Sequence, residues 1–186
     1  MIQIRLANNT QDLNGIINLQ SLNLQKNISE NELKAEGFVT VVHDFEVLSK
    51  MNAQTPAIIA EENGIVVGYC LSMTRNFERT IQVLVPMFEK MNTLSYKGKL
   101  LGDLNYLVCG QVCIAKHYRS QGLFKKMYEY SRMHYSQEYA YMLTEISHRN
   151  PRSIRAHEKI GFDIIHEYAD PSGEIWKIVF WDWQND

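Results

Sequence analysis

The run Ala57-Ile58-Ile59-Ala60, the pair Asn63-Gly64 and the run Ile65-Val66-Val67-Gly68-Tyr69-Cys70-Leu71 commit this chain to a β-hairpin. Both central residues of the tightest hairpin turn need positive φ, and Asn-Gly between two apolar, β-branched runs supplies it. A hairpin there argues against a purely parallel, doubly wound sheet. Around it the pattern is mixed. Ile2, Ile4 and Leu6 alternate as a short strand, and Leu13, Ile16, Ile17, Gln20 and Leu24 recur at helical spacing behind Asn9 or Thr10 as a cap. Ser29-Glu30-Asn31-Glu32 has the capping-box form with Gly37 closing a second helix, and Asp44 to Met51 predicts a third. Arg75 to Asp103 is read as an irregular, partly helical excursion in which Tyr96-Lys97-Gly98-Lys99 is loop. Leu104 to Ile114 is strand-like, and Gly110 inside it signals a bulge or a close backbone approach.

A polar turn over Ala115 to Gln121 follows, and Gly122 opens a helix to about Gln137 with Leu123, Met127, Tyr130 and His134 on one stripe. Tyr141 to Ser147 reads as a strand and Pro151 to Ile160 as a short helix ended by Gly161. A final hairpin, Phe162 to Tyr168 and Glu174 to Trp183, turns at Asp170-Pro171-Ser172-Gly173. With 186 residues, 45% of them hydrophobic, the chain is sized for one domain over 1–186 that buries roughly 70% of its unfolded surface. Nineteen Lys plus Arg against 21 Asp plus Glu give a formal charge of −2, without the basic excess of a nucleic-acid surface. The start Met1-Ile2-Gln3-Ile4-Arg5-Leu6 has no secretion-signal pattern and no segment reads as a membrane span, so the expectation is a cytoplasmic protein. Cys70, Cys109 and Cys113 are then expected as reduced, buried thiols.

The chemistry concentrates in Val112-Cys113-Ile114-Ala115-Lys116-His117-Tyr118-Arg119-Ser120-Gln121-Gly122-Leu123-Phe124. A strand feeding a glycine-bearing turn into a helix leaves backbone N–H groups converging at the helix start, where they and the helix dipole favour an anion. Arg119 adds a cation and Gly122 removes a Cβ, but an ordinary helix start shares this pattern.

Arg119-x-x-Gly122-x-Phe124, entered through Tyr118, resembles the pyrophosphate loop of the GCN5-related N-acetyltransferase (GNAT) superfamily. Asn150-Pro151-Arg152-Ser153-Ile154-Arg155-Ala156-His157-Glu158-Lys159-Ile160-Gly161-Phe162 resembles a second block of that family, and Glu61 to Tyr69 its upstream hairpin. The matches stand in family order and span Ala57 to Phe162. Two positions depart: Phe124 replaces the usual Gly or Ala, and Ser120 a common Gly.

The resemblance implies an α+β, three-layer fold: a mixed, mostly antiparallel central sheet with splayed middle strands, flanked by helices, forming a single N-acetyltransferase domain. It implies acetyl-CoA as cosubstrate and an amine acceptor, with no metal, no nucleic acid and no membrane, a homodimer being left open. The pantetheine would pair with Gly110 to Ile114, including Val112, Cys113 and Ile114, and the diphosphate would rest on Arg119, Ser120, Gln121, Gly122, Leu123 and Phe124. Asn150 and Ser153 would face the pantetheine and thiol. The implied reaction is direct acetyl transfer to a primary amine in a ternary complex; the alternative is a catalytically degenerate CoA-binding sensor or interaction module. A generic phosphate-binding α/β protein is a third reading.

His157 stands where many family members carry a tyrosine proposed to protonate the leaving thiolate; otherwise it is a helix residue bonding the loop or cofactor backbone. Glu145, a carboxylate in the apolar strand Met142-Leu143-Thr144-Glu145-Ile146, either accepts the amine proton or faces solvent. Gln111 either orients the amine or faces solvent at a strand edge. Cys109-x3-Cys113-x3-His117 has metal-like spacing but lacks a fourth ligand, and nothing marks Cys113 as an activated nucleophile. Tyr128, Tyr135 and Tyr139 read as helix packing first and as a substrate wall second. Glu30, Glu32, Asp44 and Glu46 are candidates to attract a cationic amine.

Overall fold

The structure is a computed structural model that describes residues 1–29 and 36–184. Glu30, Glu32 and the body of the expected second helix lie outside the described residues. Nine strands and five α-helices occur among the described residues, with short 3-10 turns between them. Seven strands form one mixed, mostly antiparallel sheet in the order β1-β2-β3-β6-β7-β9-β8. The chain divides into two compact units, Met1–Met73 with Cys109–Tyr135, and Thr74–Val108 with Ser136–Asp186.

In the first unit, β1 (Gln3–Leu6) runs antiparallel to β2 (Ile58–Glu62), and β2 to β3 (Ile65–Met73). Asn63 and Gly64 turn between the last two at φ 52° and 80°, the geometry their sequence predicts. Helix α1 (Thr10–Asn23) starts where the Asn9 side chain accepts the Asp12 N–H, and it buries Leu13, Ile16, Leu19 and Gln20. Asp12, inside that first turn, accepts both guanidinium nitrogens of Arg5 at 2.7 and 2.8 Å. Helix α2 (Phe45–Gln54) is capped by Asp44 and runs three residues past the expected end at Met51.

Gly15 of α1 faces β3 so closely that a Cβ there would lie 2.6 Å from Val66 Cγ2 and 3.0 Å from Val66 Cβ. A Gly→Ala change inside a helix normally stabilises by up to about 1 kcal/mol. Here the added methyl meets a β-branched side chain fixed to the strand, and overpacking of this kind costs about 1–3 kcal/mol. Gly15→Ala is therefore expected to lower the melting temperature; a rise would show that α1 and β3 have room to separate.

Helix α4 (Leu123–Tyr135) buries Leu123, Met127, Tyr128, Ser131 and Tyr135. The expected stripe is thus rotated: Tyr130 is only partly buried and His134 is exposed. Gly110 answers to a close approach of a side chain, since a Cβ on it would lie 2.1 Å from the Met73 methyl.

In the second unit, the excursion from Arg75 holds helix α3 (Val85–Met91), with Pro86 in its first turn. Tyr96 to Lys99 is not plain loop: β4 (Ser95–Tyr96) and β5 (Lys99–Leu100) pair around Lys97 and Gly98 at φ 48° and 79°. Strand β6 (Tyr106–Ile114) has Tyr106 to Val108 in this unit and Cys109 onward in the first, and it pairs in parallel with β7 (Tyr141–Ser147) through Tyr106↔Tyr141, Leu107↔Met142 and Val108↔Leu143. Helix α5 (Pro151–Glu158) follows β7, and β8 (Asp163–Ala169) and β9 (Ile175–Asp182) close the chain as an antiparallel hairpin. Strand β9 lies between β8 and β7. Among the described residues no helix is long and apolar enough to cross a membrane.

Candidate active site

The residues singled out in the sequence fall into a group in each unit. In the first, β6 delivers Val112, Cys113 and Ile114 to a 3-10 turn (Lys116–Tyr118) and then to the loop that opens α4. Ser120 and Gly122 both adopt left-handed backbone, at φ 60° and 78°. This places a non-glycine in a conformation that costs an L-residue about 1–2 kcal/mol, at the position where the family pattern has Gly. A Cβ on Gly122 would meet nothing within 4 Å, so its requirement is the positive φ rather than space. The Lys126 N–H bonds the Gly122 carbonyl at 3.1 Å, which makes Leu123, Phe124 and Lys125 the first turn of the helix. A helix start presents its first-turn N–H groups outward along the helix axis.

Arg119 ties this loop down. Its Nε donates to the Ile114 carbonyl at 2.9 Å, Nη1 to Glu36 Oε2 at 2.9 Å, and Nη2 to Asn23 Oδ1 at 2.6 Å. The guanidinium that the sequence offers as a cation for phosphate is thus engaged with a strand end, a carboxylate and the last residue of α1. Tyr118 adds a second strap, donating from its hydroxyl to Glu62 at 2.9 Å. Gln121 bonds the His117 carbonyl at 2.9 Å. Phe124 turns into its own helix, its ring 5.0 Å from that of Tyr128.

The thiols of this unit are packing groups. Cys70 and Cys109 sulfurs lie 3.6 Å apart, and Tyr128 donates to Cys109 Sγ at 3.1 Å. Burial pushes the Cys113 thiol up to about 12, which keeps it protonated and unreactive at neutral pH. Tyr135 donates to the Pro56 carbonyl at 2.6 Å, so neither it nor Tyr128 offers its hydroxyl to a substrate wall. Tyr139 is only partly buried. Gln111 is buried rather than at a solvent edge, accepting from Tyr69 at 2.6 Å and donating to the Val41 carbonyl at 2.8 Å. Asp44 is spent on the α2 cap, and Glu46 pairs with Lys50 at 2.6 Å on the surface.

In the second unit, Asn150 caps α5 by accepting the Ser153 N–H at 3.2 Å. His157, buried in the last turn, has Nδ1 2.8 Å from the Ser153 carbonyl. A carbonyl only accepts, so the proton sits on Nδ1 and Nε2 is the acceptor nitrogen. Burial lowers the imidazole to about 4, more than the Ser153 contact raises it, so the ring is neutral at pH 7.

Glu145 behaves in the opposite sense. It sits on β7 opposite Ile178 of β9, and its Oε2 accepts the Tyr168 hydroxyl from β8 at 2.6 Å. Desolvation raises it to about 7, partly offset by the Tyr168 hydrogen bond. Around it, Lys90 lies 5.8 Å from the Tyr168 ring centroid, and Asp170 accepts from Trp176 Nε1 at 2.9 Å. Tyr168 carries no motif; only its place on the last hairpin, two strands away from Glu145, brings the two together. The unit therefore holds a partly desolvated carboxylate that is half ionised near neutrality, the property a general base needs.

Residues 23–162 match the family model described as Acetyltransferase (GNAT) family. No curated protein matches the chain in sequence. Among solved structures the chain is similar to the ribosomal-protein-S18-alanine N-acetyltransferase from Escherichia coli, at 14% identity and TM-score 0.62, covering 98% of this chain and 94% of that one. It is similar to a GNAT-family acetyltransferase from Streptococcus agalactiae, at 16% identity and TM-score 0.64, covering 97% and 95%. It is also similar to Arabidopsis thaliana NAA60 in complex with acetyl-CoA, at 12% identity and TM-score 0.65, covering 98% and 99%.

Proposed function

Because the chain belongs to the GNAT acetyltransferase family, we propose that it transfers acetyl from acetyl-CoA to a primary amine, residues 1–186 acting as one N-acetyltransferase domain in the cytoplasm. The observation that carries the reaction type is Glu145, a carboxylate raised to about 7 inside an otherwise apolar strand. An amine acceptor arrives as an ammonium ion. Glu145 removes one proton, the nitrogen lone pair attacks the thioester carbonyl, the C–N bond forms and the C–S bond breaks. The second amine proton goes to water and the CoA sulfur leaves as thiolate. An ordinary thiol titrates near ~8.5, so the thiolate is an adequate leaving group at neutral pH without a protein acid. The neutral His157 ring is then read as a helix residue that orders the Asn150–Ser153 turn.

Acetyl-CoA would be held by amides rather than by side-chain charge. The first-turn N–H groups of α4 and the loop from Arg119 to Phe124 would receive the diphosphate. Gly110 to Ile114, past the three-pair ladder of β6 with β7, would pair with the pantetheine; Asn150 and Ser153 would face its thiol end. The similarity to acetyl-CoA-bound NAA60 supports the cosubstrate.

The test is calorimetric binding plus thiol release. Acetyl-CoA at 100 times its Kd should add about 2.7 kcal/mol to stability, and free CoA should appear with at least one member of a panel of polyamines, amino-acid esters and short peptides. Arg119→Ala should weaken acetyl-CoA at least about tenfold, because the loop loses its tie to Ile114, Glu36 and Asn23 and a partly buried acceptor is left unpaired. Arg119→Lys should not restore it, since one ammonium cannot reproduce a forked guanidinium. Binding without thiol release from any amine would favour the CoA-binding sensor instead; no binding of any acyl-CoA would sink both.

A further inference from the structure

On the reading that Glu145 is the base, we infer that Tyr168 is its positioning residue: it holds Oε2 and so leaves Oε1 as the atom that takes the amine proton. The geometry behind this lies within one unit. Tyr168 is the β8 residue opposite Trp176 of β9, and its hydroxyl spans to Glu145 on β7 at 2.6 Å. A phenol at that distance donates, and a carboxylate with one oxygen occupied has a defined second oxygen for the next partner. The Tyr168 ring is itself held, with the Lys90 ammonium 5.8 Å from its centroid. Placement of the base thus depends on the terminal hairpin and on α3, neither of which carries a family motif.

The charged groups around the pair fix the direction of the effect. Asp170, held ionised by bonds from Ser172 and Trp176, is a like charge that raises Glu145. Lys177 on β9 is opposite Ile146 and is bound to Glu167 at 2.9 Å, while Glu174 is bound to Arg149 at 2.9 Å. Tyr168 is the neighbour that favours the charged form of Glu145 through a hydrogen bond. Removing that hydroxyl therefore makes the carboxyl harder to ionise.

The experiment uses the full chain with 13C-labelled glutamate, the Glu145 carboxyl resonance being identified as the one missing from Glu145→Gln. Its midpoint should lie near 7 in the native protein, and Tyr168→Phe should move it upward by about one pH unit. The acid limb of acetyl-CoA turnover, followed as free thiol with the amine accepted by the native protein, should move with it. Activity at pH 7 should fall about fivefold and return at pH 9. A purely structural role would lower activity equally at every pH. An unmoved Glu145 midpoint in Tyr168→Phe overturns the positioning role. A moved midpoint with full turnover in Glu145→Gln overturns the base reading, and with it the catalytic meaning of Tyr168, while leaving the Tyr168–Glu145 bond intact.

Discussion

Glu145→Gln is expected to lower acetyl transfer by about 10²- to 10⁴-fold, the range over which a positioned general base contributes. The substitution keeps an oxygen to accept the Tyr168 hydroxyl and keeps the side-chain volume, so the strand, its register with Ile178 and the melting temperature should change little. Acetyl-CoA affinity should stay within about twofold, because the proposed cofactor contacts are backbone groups of other segments. In the native protein the rate should climb with pH through about 7, where Glu145 loses its proton, and level off above. A flat profile between pH 6 and 8, or undiminished turnover in Glu145→Gln, would remove this carboxylate from the chemistry.

Acid should weaken this protein well before its carboxylates are exhausted. His43 is buried, its two ring nitrogens have no hydrogen-bond partner among the described residues, and burial lowers it to about 4. His157 is lowered to about 4 by the same cause. A folded-state value below the unfolded 6.5 means the unfolded chain binds more protons between about 4 and 6.5, so stability is full above that window and lost as pH falls through it. Each ring contributes about 3 kcal/mol at full displacement. Glu145 opposes them: raised to about 7, it favours the folded state below about 4.5 and loses that contribution as pH rises through 7. Two histidines outweigh one glutamate, so the urea midpoint should drop steeply between pH 6.5 and 4.5. His43→Leu should make that slope shallower. Midpoints that stay constant over this range would show that neither ring is held neutral.

Local signals carried far into this fold where they were backed by backbone chemistry. Asn63-Gly64 is the turn it promises, Asn9 is the cap, and Gly122 opens the helix as expected, at a positive φ. Periodicity placed α4 but not its buried face, because Tyr130 and His134 fit a 3.6 spacing as well as Tyr128 and Ser131 do. Tyr96 to Lys99 was illegible as a hairpin, its strands being two residues long. At the site, sequence nominated Glu145 from its apolar surroundings yet left open whether it met water. The hydroxyl that bonds it belongs to Tyr168, 23 residues away, and no local pattern encodes a contact made across an intervening strand. Arg119 shows the converse limit: its residue type suggests a phosphate ligand, while Asn23 and Glu36, remote in sequence, set what its guanidinium does.

The loop from Tyr118 to Phe124 is anchored at Glu62, Ile114, Glu36 and Asn23, and its helix is pinned by Tyr128 on Cys109. A loop so fixed loses little conformational entropy when an anion settles on its amides, since the ordering has already taken place during folding. Cofactor association should accordingly follow single-step kinetics at a rate set by encounter, with no slower phase for ordering of the loop.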